Sequence, residues 1–146
     1  MDYETAEGHQ IGPTLRGLGL NLLCRDLARE VAFLAQVLEM QVLRQTADFA
    51  LLRSGTVLVQ LHSDGSFAAH PLHGLLPEVG PRGAGLELRL YEIDPDAACA
   101  RVDANGPAMV LAPPRDKPGH GLREAVILSP EGYAWVPSRP IREPIS

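Results

Sequence analysis

Only two cysteines occur in the 146 residues, no apolar run approaches a membrane span, and neither sign of charge gathers into a block. Two cysteines cannot make the disulfide framework of a small secreted fold. Cys24 follows Leu22-Leu23 and Cys99 follows Ala97-Ala98, apolar contexts that read as two buried, reduced thiols. A spanning helix needs about 20 consecutive apolar residues, and none is present. The net charge is -5, with acidic and basic residues mixed and no basic stripe of the kind a phosphate backbone demands. Nucleic acid is therefore not an expected partner. Met1 to Gln10 is polar and acidic, which does not fit a signal peptide. The expectation is a soluble, cytoplasmic protein.

What is present is apolar material for a core, 45% of the chain, arranged in a pattern that runs twice. Residues 1–14 show no periodicity and read as a flexible arm, with order beginning near Leu15. Leu18, Leu20 and Leu22 alternate with Gly19, Asn21 and Leu23, as in a strand with one covered face. Asp26 is placed to cap a helix, and Leu27, Val31, Leu34 and Leu38 recur at helical spacing over 26–40. Three strands follow, at 41–44, 49–53 and 56–62, with Ser54-Gly55 as a tight turn. A linker over 65–84 carries glycine, proline and two histidines.

The plan then restarts. Leu86, Leu88 and Leu90 alternate with Glu87, Arg89 and Tyr91. Asp94-Pro95 starts a helix and Asn105-Gly106 ends it. Ala108 to Ala112 reads as a strand, Pro113 to Gly121 as a loop, Leu122 to Leu128 as a strand, Ser129 to Gly132 as a turn, and Tyr133 to Ser138 as the last strand. The expected architecture is α+β: a first βαβββ module at 15–64, a second at 85–140, and a tail at 141–146. Neither half closes a core alone. The expected assembly is a cupped mixed sheet with helices on the outer face and the ligand site in the cup.

The run from Asn21 to Met40, with Asp26 before the helix, Phe33-Leu34 within it and Val37-Leu38-Glu39-Met40 after it, resembles the opening of a glyoxalase-type module. Gly121-Leu122-Arg123-Glu124 followed by Ser129-Pro130-Glu131-Gly132-Tyr133 resembles the end of one. Over about 17–62 and 83–138 the chain is thus similar to the vicinal-oxygen-chelate superfamily of glyoxalases, bleomycin-resistance proteins and extradiol dioxygenases. Glu39 stands where that family commonly has glycine, and Phe33-Leu34 where it commonly has Phe-Tyr.

The resemblance implies four metal-ligand positions, which fall on Gly19, Gln60, Glu87 and Val136. Two of these can ligate, fewer than the three or so protein ligands of most catalytic sites. His62 could join Gln60 and Glu87 as a third, but the fixed charge of Arg89 would oppose a cation beside them. The expectation is therefore no catalytic metal, with a divalent ion held by Gln60, Glu87 and His62 as the alternative. The expected ligand-binding residues are Asn21, Leu23, Leu58, Gln60, His62, Glu87, Arg89, Tyr91 and Val136. Gly19 and Ala134 are further small residues of the floor.

Each singled-out residue also has a plainer reading. Glu87 and Arg89 can be a water-facing ion pair, and His62 can sit half-exposed at a strand end with a pKa near ~6.5. His70, His73 and His120 can be loop residues, and Trp135 and Tyr133 can pack against the helix face or a partner. The favoured function is binding of a small, largely apolar organic molecule without chemistry. The alternative is a metal-dependent lyase or isomerase of the glyoxalase type. By resemblance the expected assembly is a homodimer.

Overall fold

In the computed structural model, which describes residues 1–142, the chain divides into two compact units, Met1–Ala35 with Glu39–Leu76, and Gln36–Leu38 with Pro77 onward. Both are βαβββ modules of the expected α+β class.

The first module runs β1 (Leu20–Cys24), α2 (Leu27–Gln36), β2 (Gln41–Gln45), β3 (Phe49–Ser54) and β4 (Val57–Ser63), with strand order β1-β4-β3-β2. A short helix α1 (Gly8–Ile11) precedes it. β1 and β4 are parallel and the other pairs antiparallel. Leu22, Cys24, Ala50, Leu52, Val59 and Leu61 share one face and are buried. Leu27, Val31 and Leu34 of α2 are buried too, as the helical stripe requires. Asp26 caps this helix: its Oδ1 accepts from Arg29 N–H at 3.1 Å. The helix stops at Gln36 rather than running to Met40, and Glu39 then takes a left-handed φ of 56°. A left-handed conformation is one that a side chain tolerates less well than glycine does.

The second module runs β5 (Glu87–Tyr91), α3 (Pro95–Ala100), β6 (Met109–Lys117), β7 (Leu122–Leu128) and β8 (Ala134–Pro140), in order β5-β8-β7-β6. Asp94 caps α3 by accepting from Asp96 N–H at 3.2 Å, with Pro95 at the first helical position. Trp135 and Ile127 are paired across β8 and β7 and buried; Trp135 also pairs with Leu88. On the same face Arg123 and Arg139 reach Asp96 and Asp94 of α3 and its cap. Trp135 thus lies on the helix side of the sheet, and Tyr133, also buried, lies just before β8.

Several expectations are corrected. β1 begins at Leu20, and Leu18 is exposed, so Gly19 precedes the strand. The 1–14 segment contains α1 and a 3-10 turn, Gly12–Thr14, whose hydrogen bonds are too local to leave a sequence period. The linker carries two further 3-10 turns, Asp64–Phe67 and Pro71–Leu75. α3 ends at Ala100, before Asn105-Gly106, which sits in a following turn. Pro113 to Lys117 is strand, not loop. β6 is an edge strand whose register slips between Val110 and Ala112 and between Ala112 and Arg115, and these irregularities accommodate prolines that could not donate to a regular ladder. Cys24 is buried, but Cys99 only half-buried, and both are free thiols.

Candidate functional site

Pairing along the first sheet puts Asn21, Gln60, Leu51 and Arg44 on the face opposite α2, with Leu23, His62 and Phe49 one step along and Leu58 and Arg53 the other way. The expected ligand residues Asn21, Leu23, Leu58, Gln60 and His62 are therefore on one face, as read from the alternation. Leu23 is buried; Leu58, Gln60 and His62 are half-buried; Asn21 is exposed.

His62 Nε2 lies 3.2 Å from Asn21 Oδ1. A carbonyl oxygen only accepts, so the neutral ring carries its proton on Nε2 and leaves Nδ1 as an acceptor. Burial pushes the His62 pKa below its ordinary value, which keeps the ring neutral at pH 7. The ring also stacks at a tilt between Phe49 and Phe67, with centroids 5.3 and 4.9 Å away.

The N-terminal segment lies on this face. Arg44 Nη1 donates to the Ala6 carbonyl. The Arg53 guanidinium sits over the Tyr3 ring, 5.6 Å from its centroid. Ile11 is buried. Between segment and sheet is a cavity of about 320 Å³ bounded by Gly8, Ile11, Gly12, Leu15, Arg44, Phe49, Gln60 and His62. A second, of about 340 Å³, lies toward the start of β1, between 14–19 and Thr56 to Gln60. Gln60 borders both. Sequence reasoning missed Arg44, Phe49 and Ile11. Arg44 and Phe49 could have been found by extending the alternation to β2 and β3; nothing in the pattern of residues 1–14 marks Ile11.

In the second module Glu87, Arg89 and Tyr91 share a face with Ala134, Val136, Ser138 and Glu124. Arg89 Nη1 donates to Glu87 Oε1 at 2.8 Å, and Nη2 donates to Glu124 Oε2. His120 Nδ1 is 3.3 Å from the same Glu124 oxygen. The Arg89 guanidinium also lies 5.9 Å from the centroid of the Tyr91 ring. Glu124 is buried, which raises its pKa, but the hydrogen bonds from Arg89 and His120 outweigh burial and hold it below the ordinary carboxylate range. Hydrogen bonds to Glu87 and then Glu124 raise the pKa of Arg89, so it is a permanent cation. Val136 is buried, Glu87 and Tyr91 are exposed. Glu124 was missed as a site residue, although its alternation with Leu122 and Val126 could have indicated it.

The metal alternative fits this donor set poorly. Gly19 and Val136 offer no side-chain ligand, and Glu87 is ion-paired with a fixed cation. Among the described residues no group of three His, Cys, Asp or Glu is placed to hold an ion. No helix among them is long and apolar enough to cross a membrane.

No protein-family model matches the chain, and no curated protein matches it in sequence. Solved structures do match in fold. A glyoxalase/bleomycin resistance protein/dioxygenase family enzyme from Burkholderia phytofirmans superposes with a TM-score of 0.65 at 18% identity, covering 84% of this chain and 96% of that one. TioX from a Micromonospora species gives 0.60 at 26% identity, covering 86% and 100%. A bleomycin resistance determinant encoded on transposon Tn5 gives 0.57 at 16% identity, covering 88% and 100%.

Proposed function

From the vicinal-oxygen-chelate fold that the chain shares with these structures, we propose that the protein binds a small, largely apolar organic molecule between the N-terminal segment and the face of the first sheet opposite α2, and does no covalent chemistry on it. The observation that carries this reading is the cavity of about 320 Å³ in which Ile11, Leu15 and Phe49 meet Gln60, His62 and Arg44. An apolar wall with a few fixed polar groups is the usual composition of a small-molecule site.

The alternative, a glyoxalase-type lyase or isomerase with Gln60, Glu87 and His62 on a divalent ion, is disfavoured by the Glu87–Arg89 pair at 2.8 Å. The test is equilibrium titration with N-phenyl-1-naphthylamine, a neutral aromatic probe, on metal-free protein. Saturable one-to-one binding with a rise in melting temperature is expected. Absence of saturable binding, or a requirement for added metal, would overturn the reading. Sedimentation velocity tests the accompanying proposal of a homodimer: a species of twice the chain mass supports it and a monomer rejects it.

A further inference from the structure

The charge around the first-module cavity is one-sided. Arg44 borders it, half-buried, and among the described residues its hydrogen bond goes to a neutral acceptor, the Ala6 carbonyl. Among the described residues Arg44 makes no ion pair. A guanidinium has five donors in a planar fork and is charged at every working pH. Withdrawing such a group from water is costly unless a counter-charge meets it. Asn21, Gln60 and neutral His62 on the same face bring no negative charge. Arg53, also on this face, adds a second cation, stacked on Tyr3.

The N-terminal segment does carry carboxylates, at Asp2, Glu4 and Glu7, yet none is paired with Arg44. Asp2 instead accepts from Glu4 N–H at 3.1 Å and Thr5 Oγ1 at 2.9 Å. Arg44 is thus held by a single carbonyl at the margin of an apolar cavity, and a carbonyl is a weaker partner for it than an anion.

We propose that the ligand is an organic anion: an aromatic or aliphatic body lying against Ile11, Leu15 and Phe49, with its carboxylate, sulfonate or similar group on Arg44 in place of the Ala6 carbonyl. This deepens the function proposed above and rests on it. The segment before β1 forms one wall of the site. Because it meets the sheet through Arg44, Tyr3 and Ile11 rather than through a strand ladder, releasing the Ala6 bond lets it adjust to a ligand without breaking the sheet.

The test compares two probes of nearly the same body on the full chain: 1-anilinonaphthalene-8-sulfonate, an anion, and N-phenyl-1-naphthylamine, which lacks the sulfonate. The expected result is at least tenfold tighter binding of the anion, a preference removed by Arg44→Met, which keeps the aliphatic stem. That the variant is folded is checked independently, by a circular dichroism spectrum and a cooperative thermal transition like those of the wild type; Arg44→Lys, which keeps a positive charge, should retain part of the anion preference. Equal binding of both probes by the wild type, or an anion preference that survives Arg44→Met, would overturn this inference while leaving the binding function standing. Failure of the wild type to bind either probe would overturn both.

Discussion

Arg89 is the residue on which most of the second module's polar face depends. It bonds Glu87 and the buried Glu124 at once, so its removal leaves a carboxylate in a poorly hydrated place with only His120 as partner. Breaking such a pair from one side costs more than the pair contributes, because the remaining charge is uncompensated. Arg89→Met should therefore lower stability by about 2–3 kcal/mol, and adding Glu124→Gln should recover part of the loss. Urea denaturation of the two single variants and the double variant measures this; losses that simply add would show that the residues do not interact. A gain is expected at Glu92, exposed and held at φ 65°. An L side chain in that region costs about 1 kcal/mol or more, so Glu92→Gly should raise the melting temperature slightly despite glycine's greater unfolded-state entropy. At this scale the sequence showed which residues share a face in each module, because a strand's period of two is unambiguous. It also allowed the ion pair of Glu87 with Arg89 along one strand, which the structure contains. It did not show that Glu124 would join them from β7, since cross-strand register is not written in local alternation.

Among the elements, the best-read were those with a mechanism at their ends. Asp26 and Asp94 cap helices as expected because a short carboxylate before an apolar-periodic run has few better uses. Asp26→Ala should cost about 1 kcal/mol, read by chemical denaturation; an unchanged midpoint would mean the 3.1 Å bond contributes nothing in solution. The poorly read elements were those where tertiary pairing overrides propensity. Pro113-Pro114 signals a loop, yet the edge position and slipped register let β6 continue through it. The N-terminal helix has one buried apolar residue, Ile11, and so no stripe to detect. The turn before β8 makes a sharper demand. Gly132 has φ 90°, and a Cβ there would lie 2.3 Å from Pro81 Cα. That neighbour is backbone and cannot swing aside, so Gly132→Ala should destabilise by about 3 kcal/mol. A loss below about 1 kcal/mol on denaturation would mean that the 81–83 segment does not hold this close approach in solution.

For the molecule as a whole, the two perturbed groups at the candidate sites predict a stepped acid response. Burial lowers the pKa of His62 below its ordinary 6.5, so the unfolded chain takes up that proton before the folded one does. Stability is then fully present above about pH 6.5 and falls as the pH drops from there to the folded pKa, below which it levels off. Glu124 is depressed in the folded state below its ordinary 4.5, since the bonds from Arg89 and His120 outweigh burial. Its contribution is present above about pH 4.5 and is lost as the pH falls through the folded value. The unfolding free energy should be flat from about pH 8 to 7, step down below about pH 6.5, and fall again below about pH 4.5. The two steps belong to different modules and should be separable. His62→Gln should remove the first step and leave the second; Glu124→Gln should leave the first and shrink the second, of which Asp96, held low by Arg123, supplies another part. Because neutral His62 also borders the cavity beside Arg44, the first step has a functional counterpart. Protonating the ring adds a further positive charge near the proposed anion, so probe binding should tighten over the same pH range in which the free protein loses stability. Weaker binding of the anionic probe at pH 5.5 than at pH 7.5 would contradict the placement of the anion near that ring.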